Sequence, residues 1–202
     1  MSEIAIQLLS GKSVEPWIPD LARLRITVFR DFPYLYDGTT EYEENYLQTY
    51  VNSPDSIVVL ALEDGKVIGA STGLPMSDET PEFQQPFVDQ GYDPAKVFYC
   101  AESVLLKEYR GRGAYKQFFT GREHHARQLG RFDWLSFCCV QRPANHPLRP
   151  ADYIPLDAVW AKFGYVKHPE LRTTYAWKDV DEAEETAHEM VFWLKPIQEA
   201  AR

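Results

Sequence analysis

The sequence contains no long uninterrupted apolar run, no leader-like first segment and no cysteine framework, and each absence excludes a class of protein. No stretch approaches the roughly 18 consecutive apolar residues of a membrane-spanning helix. Residues 1–16 have no basic segment followed by an apolar one, so we expect no secretory signal peptide. The cysteines Cys100, Cys138 and Cys139 are odd in number, and two are adjacent. This pattern disfavours disulfides and predicts a reducing, cytoplasmic location.

Positive charge is also scarce. Lys and Arg number 21 against 30 Asp and Glu, which gives a net charge of −9. An acidic surface repels phosphate backbones and anionic lipid, so we expect neither nucleic acid nor a membrane as partner. The 5 histidines and 3 cysteines show no metal-ligand spacing, and we expect no metal. With 45% hydrophobic residues, residues 1–202 are long enough for a single domain with one sizeable core.

The distribution of apolar residues predicts alternating strands and helices. We expect strands at 4–9, 56–62, 66–73, 97–106, 132–140, 172–180 and 189–195, and helices at 19–31, 39–51, 113–129 and 156–163. The sequence Glu63-Asp64-Gly65 predicts a hairpin turn, and the Pro-rich residues 141–155 predict a long loop. The order indicates an α/β (α+β) domain with a central mixed, mostly antiparallel sheet of about six or seven strands flanked by helices.

The most informative segment is a glycine-rich turn between a predicted strand and a predicted helix. Arg110-Gly111-Arg112-Gly113 would place unpaired backbone N–H groups at the positive end of the helix dipole, where a phosphate or pyrophosphate can bind. The alternative is a tight turn with two exposed arginines. A P-loop does not fit because Lys116 follows Tyr115, and a dinucleotide fingerprint does not fit because it needs a third glycine.

Two segments resemble the GNAT superfamily of N-acetyltransferases. Residues 105–114, Leu-Leu-Lys-Glu-Tyr-Arg-Gly-Arg-Gly-Ala, resemble the family's Arg/Gln-x-x-Gly-x-Gly/Ala turn. Residues 158–165, Ala-Val-Trp-Ala-Lys-Phe-Gly-Tyr, resemble its second signature, a short helix that ends in an aromatic-x-x-x-Gly-Phe/Tyr sequence. The resemblance implies a GNAT-like domain that transfers an acetyl group from acetyl-CoA to an amine by direct attack. It also implies an acetyl-CoA site at Val104, Leu105, Leu106, Arg110, Gly111, Arg112, Gly113, Ala114, Tyr115 and Asn145.

The catalytic residues follow less directly, because the sequence departs from the family pattern. Tyr115 occupies the final Gly/Ala position of the turn, and Trp160 occupies the position where many members carry a tyrosine acid. We therefore assign the general acid to Tyr153, in the segment that leads to the last short helix, with water as the alternative. Glu102, a carboxylate in an otherwise apolar strand, is the candidate general base. The alternative is that it faces solvent or pairs with an arginine.

Other polar residues are interpreted as structural. His124 and His125 are expected on a solvated helix face, and Cys138 and Cys139 are expected to be inert core thiols. The side chains of Arg142 and Arg149 could contact either phosphate or water.

The connection between the first two helices suggests the acceptor. Phe32, Tyr34 and Tyr36 are followed by Asp37, Glu41, Glu43 and Glu44, and aromatic rings with carboxylates suit a cation with an apolar body. The alternative is core packing beside a solvated acidic helix start. We therefore expect a small cationic amine as acceptor, with a protein lysine or N-terminus as second choice.

Two rival functions remain at this point, a GNAT-fold module that holds acyl-CoA with little catalysis and a hydrolase that uses Cys139. The sequence does not determine the oligomeric state, and a homodimer is one alternative.

Overall fold

The computed structural model describes residues 3–197, which form one sheet of eight strands together with five α-helices. The strands are β1 (Ala5–Leu9), β2 (Ile57–Glu63), β3 (Lys66–Pro75), β4 (Val97–Tyr99), β5 (Ser103–Leu105), β6 (Trp134–Val140), β7 (Val166–Lys178) and β8 (Glu185–Pro196). The helices are α1 (Ile18–Phe29), α2 (Thr40–Asn52), α3 (Pro81–Asp89), α4 (Ala114–Leu129) and α5 (Asp157–Lys162). Residues 141–156 form a loop without helix or strand, as predicted for residues 141–155.

The sheet is mixed and mostly antiparallel, as the sequence predicts. Its strand order is β1-β2-β3-β4-β6-β8-β7, and β5 pairs with β3 beside β4. The β4–β6 pair is parallel, while the other ladders are antiparallel. The sheet has eight strands because the single strand expected at residues 97–106 is divided into β4 and β5.

The division between β4 and β5 opens the sheet. β4 pairs with β6, and Cys100 extends this pairing by donating its N–H to the Ser136 carbonyl (2.6 Å). Beyond this bond β5 pairs with β3, and no ladder bond joins β5 to β6 anywhere in residues 3–197. The residues between the two strands are held by Thr72, whose N–H donates to the Glu102 carbonyl (3.0 Å). The two central strands therefore diverge towards the end of the sheet where β6 finishes.

The helices cover the two faces of the sheet. Alternating residues of β2 illustrate the division, since Val58 and Leu60 pack in one cluster and Val59 and Ala61 in the other. The first cluster contains residues of α1, α2 and α3, and the second contains residues of α4 with the partly buried Trp160 of α5 and Phe163 after it. The core is therefore two layers, one on each side of the sheet, as in other α/β domains.

Two differences from the sequence prediction have local causes. Helix α3 was not predicted because it is short and contains two prolines, Pro81 in its first turn and Pro86 inside it. Strand β8 extends beyond the predicted 189–195 at both ends, and β7 begins before the predicted 172–180 and ends at Lys178, because the two strands pair with each other. The register shifts between His168 and Arg172, and this irregularity interrupts the apolar pattern from which a strand is recognised.

Helix α4 is less solvated than its sequence suggests. His124 is exposed as expected, but His125 is half-buried, and its Nε2 lies 2.9 Å from the Asp55 carbonyl oxygen. Arg122 and Glu123 are buried. Glu123 forms ion pairs with Lys195 (2.8 Å) and with another residue of the same helix. The expectation of a solvated face is therefore correct for His124 and wrong for the residues beside it.

A buried arginine joins the loop after β6 to the connection between α1 and α2. Arg142 forms two bonds with the Asp179 carboxylate (2.7 and 2.8 Å) and donates to the carbonyls of Pro33 and Tyr34 (2.8 and 2.7 Å). Its side chain is 8% exposed and that of Asp179 is 3% exposed. Neither phosphate nor bulk water, the two contacts considered from the sequence, is therefore the principal partner of Arg142.

We predict that Arg142→Ala destabilises the fold by about 3 to 5 kcal/mol, because it leaves the buried Asp179 charge without its arginine, with only Nε2 of His188 nearby (3.3 Å). The matched control is Arg172→Ala, which removes the exposed pair between Arg172 and Glu189 and should cost less than about 1 kcal/mol. Urea denaturation of the two variants measures both free energies of unfolding. Equal losses in the two variants would contradict the interpretation.

Candidate active site

A cavity of about 190 Å³ lies on the α1–α2 face of the sheet, against the point where β4 gives way to β5. Tyr99, Ala101 and Glu102 belong to this point, and Cys138 and Met190 contribute from β6 and β8. Aromatic side chains form most of the remaining wall: Phe29, Tyr34, Tyr36, Tyr42, Tyr46, Phe83, Tyr175 and Trp177. The polar lining consists of Arg25, Thr49, Asp78, Glu79 and Thr80. The cavity therefore combines an aromatic wall with several carboxylates.

Glu102, the candidate base, is buried and already engaged. Its Oε1 lies 2.7 Å from Nη1 of Arg25, and its Oε2 accepts a hydrogen bond from the Tyr50 hydroxyl (3.1 Å). The Tyr50 hydroxyl accepts in turn from Thr72 (3.0 Å). The structure thus shows the alternative considered from the sequence, in which Glu102 pairs with an arginine, although the residue does line the cavity.

Arg25 is the cation that gathers these groups. It forms a second ion pair with Glu43, which is fully buried. Its guanidinium lies 4.3 Å from the centroid of the Tyr46 ring and 5.1 Å from that of Phe29. Glu43 was expected either at an acceptor site or on a solvated helix start, and instead it neutralises Arg25 together with Glu102.

Glu79 is a second carboxylate in the cavity, and sequence reasoning missed it. It is 9% exposed, and its Oε2 accepts a bond from the N–H of Thr80 (3.3 Å). Burial, reinforced by the charge of Glu102, raises its pKa to about 7, although the Thr80 N–H bond opposes the shift. An acidic pair before Thr-Pro is typical of an exposed helix start, so the sequence carries no signal of this burial. At neutral pH such a group can both accept and release a proton.

The tyrosine hydroxyls of the cavity are neutral donors. Burial raises the pKa of Tyr34 and of Tyr46 well above the ordinary value, and burial together with the adjacent Glu43 does the same for Tyr36. Tyr42 and Tyr175 join α2 to β7 through their hydroxyl oxygens, which lie 2.8 Å apart.

The cysteines are unsuited to nucleophilic catalysis. Burial raises the pKa of the Cys139 thiol to about 11 and raises that of Cys138 further. The Cys138 sulfur lies 3.0 Å from the Tyr99 hydroxyl, inside the core. Because only the thiolate is a strong nucleophile, these values argue against a hydrolase that uses Cys139.

Of the three aromatic residues predicted to bind the acceptor, Tyr34 and Tyr36 line the cavity. Phe32 lies elsewhere, with its ring centroid 4.7 Å from that of Tyr153. Tyr153 is half-buried in the loop after β6, beneath the guanidinium of Arg149 (4.9 Å), and is not among the residues that line the cavity. Arg149 therefore packs on aromatic rings rather than meeting only water.

The predicted pyrophosphate turn is open and basic. Gly111 and Gly113 have φ values of 77° and 90°, and a Cβ at either would meet no heavy atom within 4 Å. α4 begins directly after Gly113, so its first backbone N–H groups face the turn without helical acceptors. Arg110 is exposed, as is Lys116, which sequence reasoning missed. The turn can therefore accept an anionic group.

Three members of the predicted turn have other roles. Arg112 forms an ion pair with Glu63 (2.6 Å), so it serves the fold of the turn. Ala114, the first residue of α4, is buried. Tyr115 turns away from the glycines, and its hydroxyl oxygen accepts a bond from Nε1 of Trp160 (2.9 Å). The large residue at the last position of the motif therefore packs against α5 and does not fill the turn.

The main chain of β5 completes the site. Val104 and Leu106 direct their backbone towards β3, and the Leu106 N–H donates to the Ile68 carbonyl (3.1 Å). Because antiparallel pairing alternates, Ser103 and Leu105 turn their backbone to the open side between β5 and β6. Of the three strand residues predicted to contact acetyl-CoA, Leu105 is therefore the one that presents backbone groups there. Asn145 is exposed in the loop after β6.

The described part of the chain holds neither a candidate metal site nor a helix suited to span a membrane. Residues 3–197 contain no group of three or more His, Cys, Asp or Glu side chains that could hold a metal ion. Over the same residues, none of the helices has the length and apolar character needed to cross a membrane.

No protein-family model matches the sequence, and no curated protein matches it. The structure, however, is similar to solved acetyltransferases. The TM-score is 0.61 with ribosomal-protein-alanine N-acetyltransferase from Brucella melitensis, at 12% identity over 94% of this chain and 99% of that one. It is 0.58 with a GNAT-family acetyltransferase from Streptococcus pneumoniae, at 13% identity over 96% and 100%. It is 0.57 with a Salmonella typhimurium protein solved with its cofactor acetyl-CoA, at 10% identity over 100% and 98%.

We predict that Glu79→Gln stabilises the protein at pH 8 by up to about 3 kcal/mol and has little effect near pH 4.5. The folded-state pKa of Glu79 is raised from 4.5 to about 7, so its ionisation lowers stability progressively as pH rises between these values. Urea denaturation of wild type and variant at several pH values measures the difference. A difference that does not change with pH would contradict a raised pKa.

Proposed function

We propose, from the premise that this chain has the GNAT fold, that it transfers an acetyl group from acetyl-CoA to an amine. The observation that carries the proposal is the position of Glu79. It is a carboxylate with a pKa of about 7, in an aromatic cavity that abuts the open end of β5. A group that ionises near neutral pH beside a strand with free backbone donors has the chemistry that acyl transfer to an amine requires.

The glycine turn fits the pyrophosphate of CoA. Its two glycines leave room for close backbone approach, and the N-terminus of a 16-residue helix faces the same point. Arg110 and Lys116 can add charge-assisted contacts because both are exposed there. The open side of β5, at Ser103 and Leu105, would then hold the pantetheine arm by main-chain bonds and lead the thioester towards the cavity.

Glu79 is the proton acceptor in this proposal. The amine nitrogen forms a bond to the acetyl carbonyl carbon, and the C–S bond to CoA breaks. The proton lost by the nitrogen passes to Glu79, directly or through water, and the electron pair of the C–S bond leaves on the CoA sulfur. A backbone N–H on the open side of β5 polarises the carbonyl oxygen while negative charge builds on it.

Glu102 supports this chemistry without accepting the proton. Its carboxylate is held by Arg25 and Tyr50, and its charge helps to keep the pKa of Glu79 high. The leaving thiolate needs only modest help, since its conjugate acid has a pKa of about 8.5. Tyr153 remains our predicted acid, with water as the alternative.

The competing proposal is a GNAT-fold module that holds acyl-CoA with little catalysis. Trp160 favours it, because its indole N–H is bonded to Tyr115 and offers no acidic hydroxyl. We favour the enzyme because a module that only binds has no use for a buried carboxylate with a raised pKa. The free thiols of the three cysteines agree with a reducing, cytoplasmic location, which we also propose.

We predict that Gly113→Ala weakens acetyl-CoA binding by about ten-fold or more, because a methyl group would stand where the phosphate must approach the backbone. Gly91→Ala is the matched control. Gly91 has a φ of 80° and open space around it, but it lies in the loop after α3. Both substitutions carry the same left-handed backbone strain of about 1–2 kcal/mol. A difference between the two variants in acetyl-CoA affinity, measured by calorimetric titration, therefore reports a loss of binding and not the strain. Equal affinities in the two variants would remove the turn from the site.

We predict that acetyl-CoA turnover with amines, measured as released thiol, has an acid limb in kcat/KM centred near pH 7. Activity rises with pH because Glu79 accepts a proton only when it is ionised. Glu79→Gln should lower kcat by about 10²–10⁴-fold. Glu82→Gln is the control because Glu82 is exposed on α3.

An acid limb that survives in Glu79→Gln would assign the base elsewhere. Tight acetyl-CoA binding without turnover by any amine would favour the binding module.

A further inference from the structure

We infer that the acceptor is a small primary amine carried on a single aromatic or similarly sized ring. This inference rests on the proposed function and adds the class of acceptor. The observation behind it is that the cavity brings together an aromatic lining, a small volume and buried carboxylates that outnumber the cations.

The size of the cavity limits the body of the acceptor. Its volume is about 190 Å³, whereas a buried apolar cavity of about 150 Å³ is enough to bind benzene. One ring with a short linker to the amine therefore fills the space. An unbranched alkyl chain would leave ring surfaces uncovered.

The walls of the cavity are suited to a flat apolar body. Phe83 lies 5.5 Å from the Tyr99 ring and 5.7 Å from the Tyr175 ring, and Trp177 lies 6.0 Å from Tyr34. These rings come from β4, α3, β7 and the α1–α2 connection, so they surround the space from several sides. The wall rings thus contact one another, and a bound ring at a similar separation from them would add edge-to-face or offset contacts, each with a modest gain in affinity.

The charges of the cavity select a cation. The Arg25 guanidinium is neutralised by Glu43 and Glu102, and Asp78 accepts a bond from the Ser53 hydroxyl (2.6 Å). Among residues 3–197, no cationic side chain forms an ion pair with Glu79. A bound ammonium group would supply the missing counter-ion before it gives up its proton.

The same charges disfavour an acceptor that carries a carboxylate next to its amine. The positive group that could receive it, Arg25, already has two carboxylate partners, and a third carboxylate would meet the buried Glu79 as well as the exposed Asp78. Buried like charges repel each other strongly. Free amino acids should therefore be poorer acceptors than the corresponding decarboxylated amines.

The first experiment compares acceptors that differ by one feature. The probes are 2-phenylethylamine, phenylalanine, 2-phenylethanol, 3-phenylpropanoate, n-butylamine and a short peptide with one lysine. Acceptor-dependent thiol release from acetyl-CoA and binding calorimetry of each probe are measured with the full chain. We expect 2-phenylethylamine to give the highest kcat/KM, at least about ten-fold above n-butylamine and phenylalanine.

The second experiment removes one ring of the wall. Phe83→Leu should raise the KM for 2-phenylethylamine by about five- to ten-fold and change that for n-butylamine less than two-fold. Phe87→Leu is the matched control because Phe87 is in the same helix but is fully buried in the core outside the cavity. It should leave both KM values unchanged.

The outcomes distinguish failure of the ring-bearing acceptor from failure of the proposed function. If n-butylamine, the lysine peptide or phenylalanine is acetylated faster than 2-phenylethylamine, the ring-bearing acceptor is wrong and the proposed function survives. If Phe83→Leu affects both amines equally, the aromatic wall is not the binding surface. If 2-phenylethylamine binds but no probe supports thiol release, the proposed function fails.

Discussion

Two arginines hold residue Glu102 from opposite faces of the sheet, and the open centre of the molecule depends on this arrangement. Arg122 of α4 donates to the backbone carbonyl of Glu102 (3.1 Å), and Arg25 of α1 pairs with its carboxylate (2.7 Å). The residue is therefore fixed where β4 ends and β5 begins. A continuous strand at this point would keep β5 paired with β6, and neither the open backbone of Ser103 and Leu105 nor the cavity beside it would exist.

The cavity carries electrostatic strain that the rest of the fold must offset. Burying an ion is costly unless it is paired, and the Arg25 group satisfies this condition with two carboxylates. Glu79 forms no ion pair with a cation among residues 3–197, and its burial therefore raises its pKa, which reflects the free energy needed to ionise it. Natural proteins retain such costs mainly at functional sites. The Arg142–Asp179 ion pair lies at the same end of the sheet, and Arg142 also donates to the Tyr34 carbonyl, which stabilises the α1–α2 connection.

Particular residues show where sequence reasoning succeeds and where it fails. Tyr34 and Tyr36 were predicted to bind the acceptor from their type and spacing and do line the cavity, whereas Phe32, from the same run, does not. A loop can direct neighbouring side chains to different sides, so spacing alone cannot separate them. Glu79 was missed for a related reason. It shares the cavity with aromatic residues distant in sequence, such as Tyr46 and Tyr175, which no local pattern connects to it.

The sequence by itself determined the order of most strands and helices and the glycine turn before α4. These follow from apolar periodicity and from backbone conformations that few residues other than glycine adopt, and both are local properties. Only the tertiary structure decided that Glu102 is engaged by Arg25, that Tyr115 turns towards Trp160, and that Glu79 is buried with a raised pKa. Burial and ion pairing depend on which distant segments meet, because the energy of a charge is set by everything packed around it.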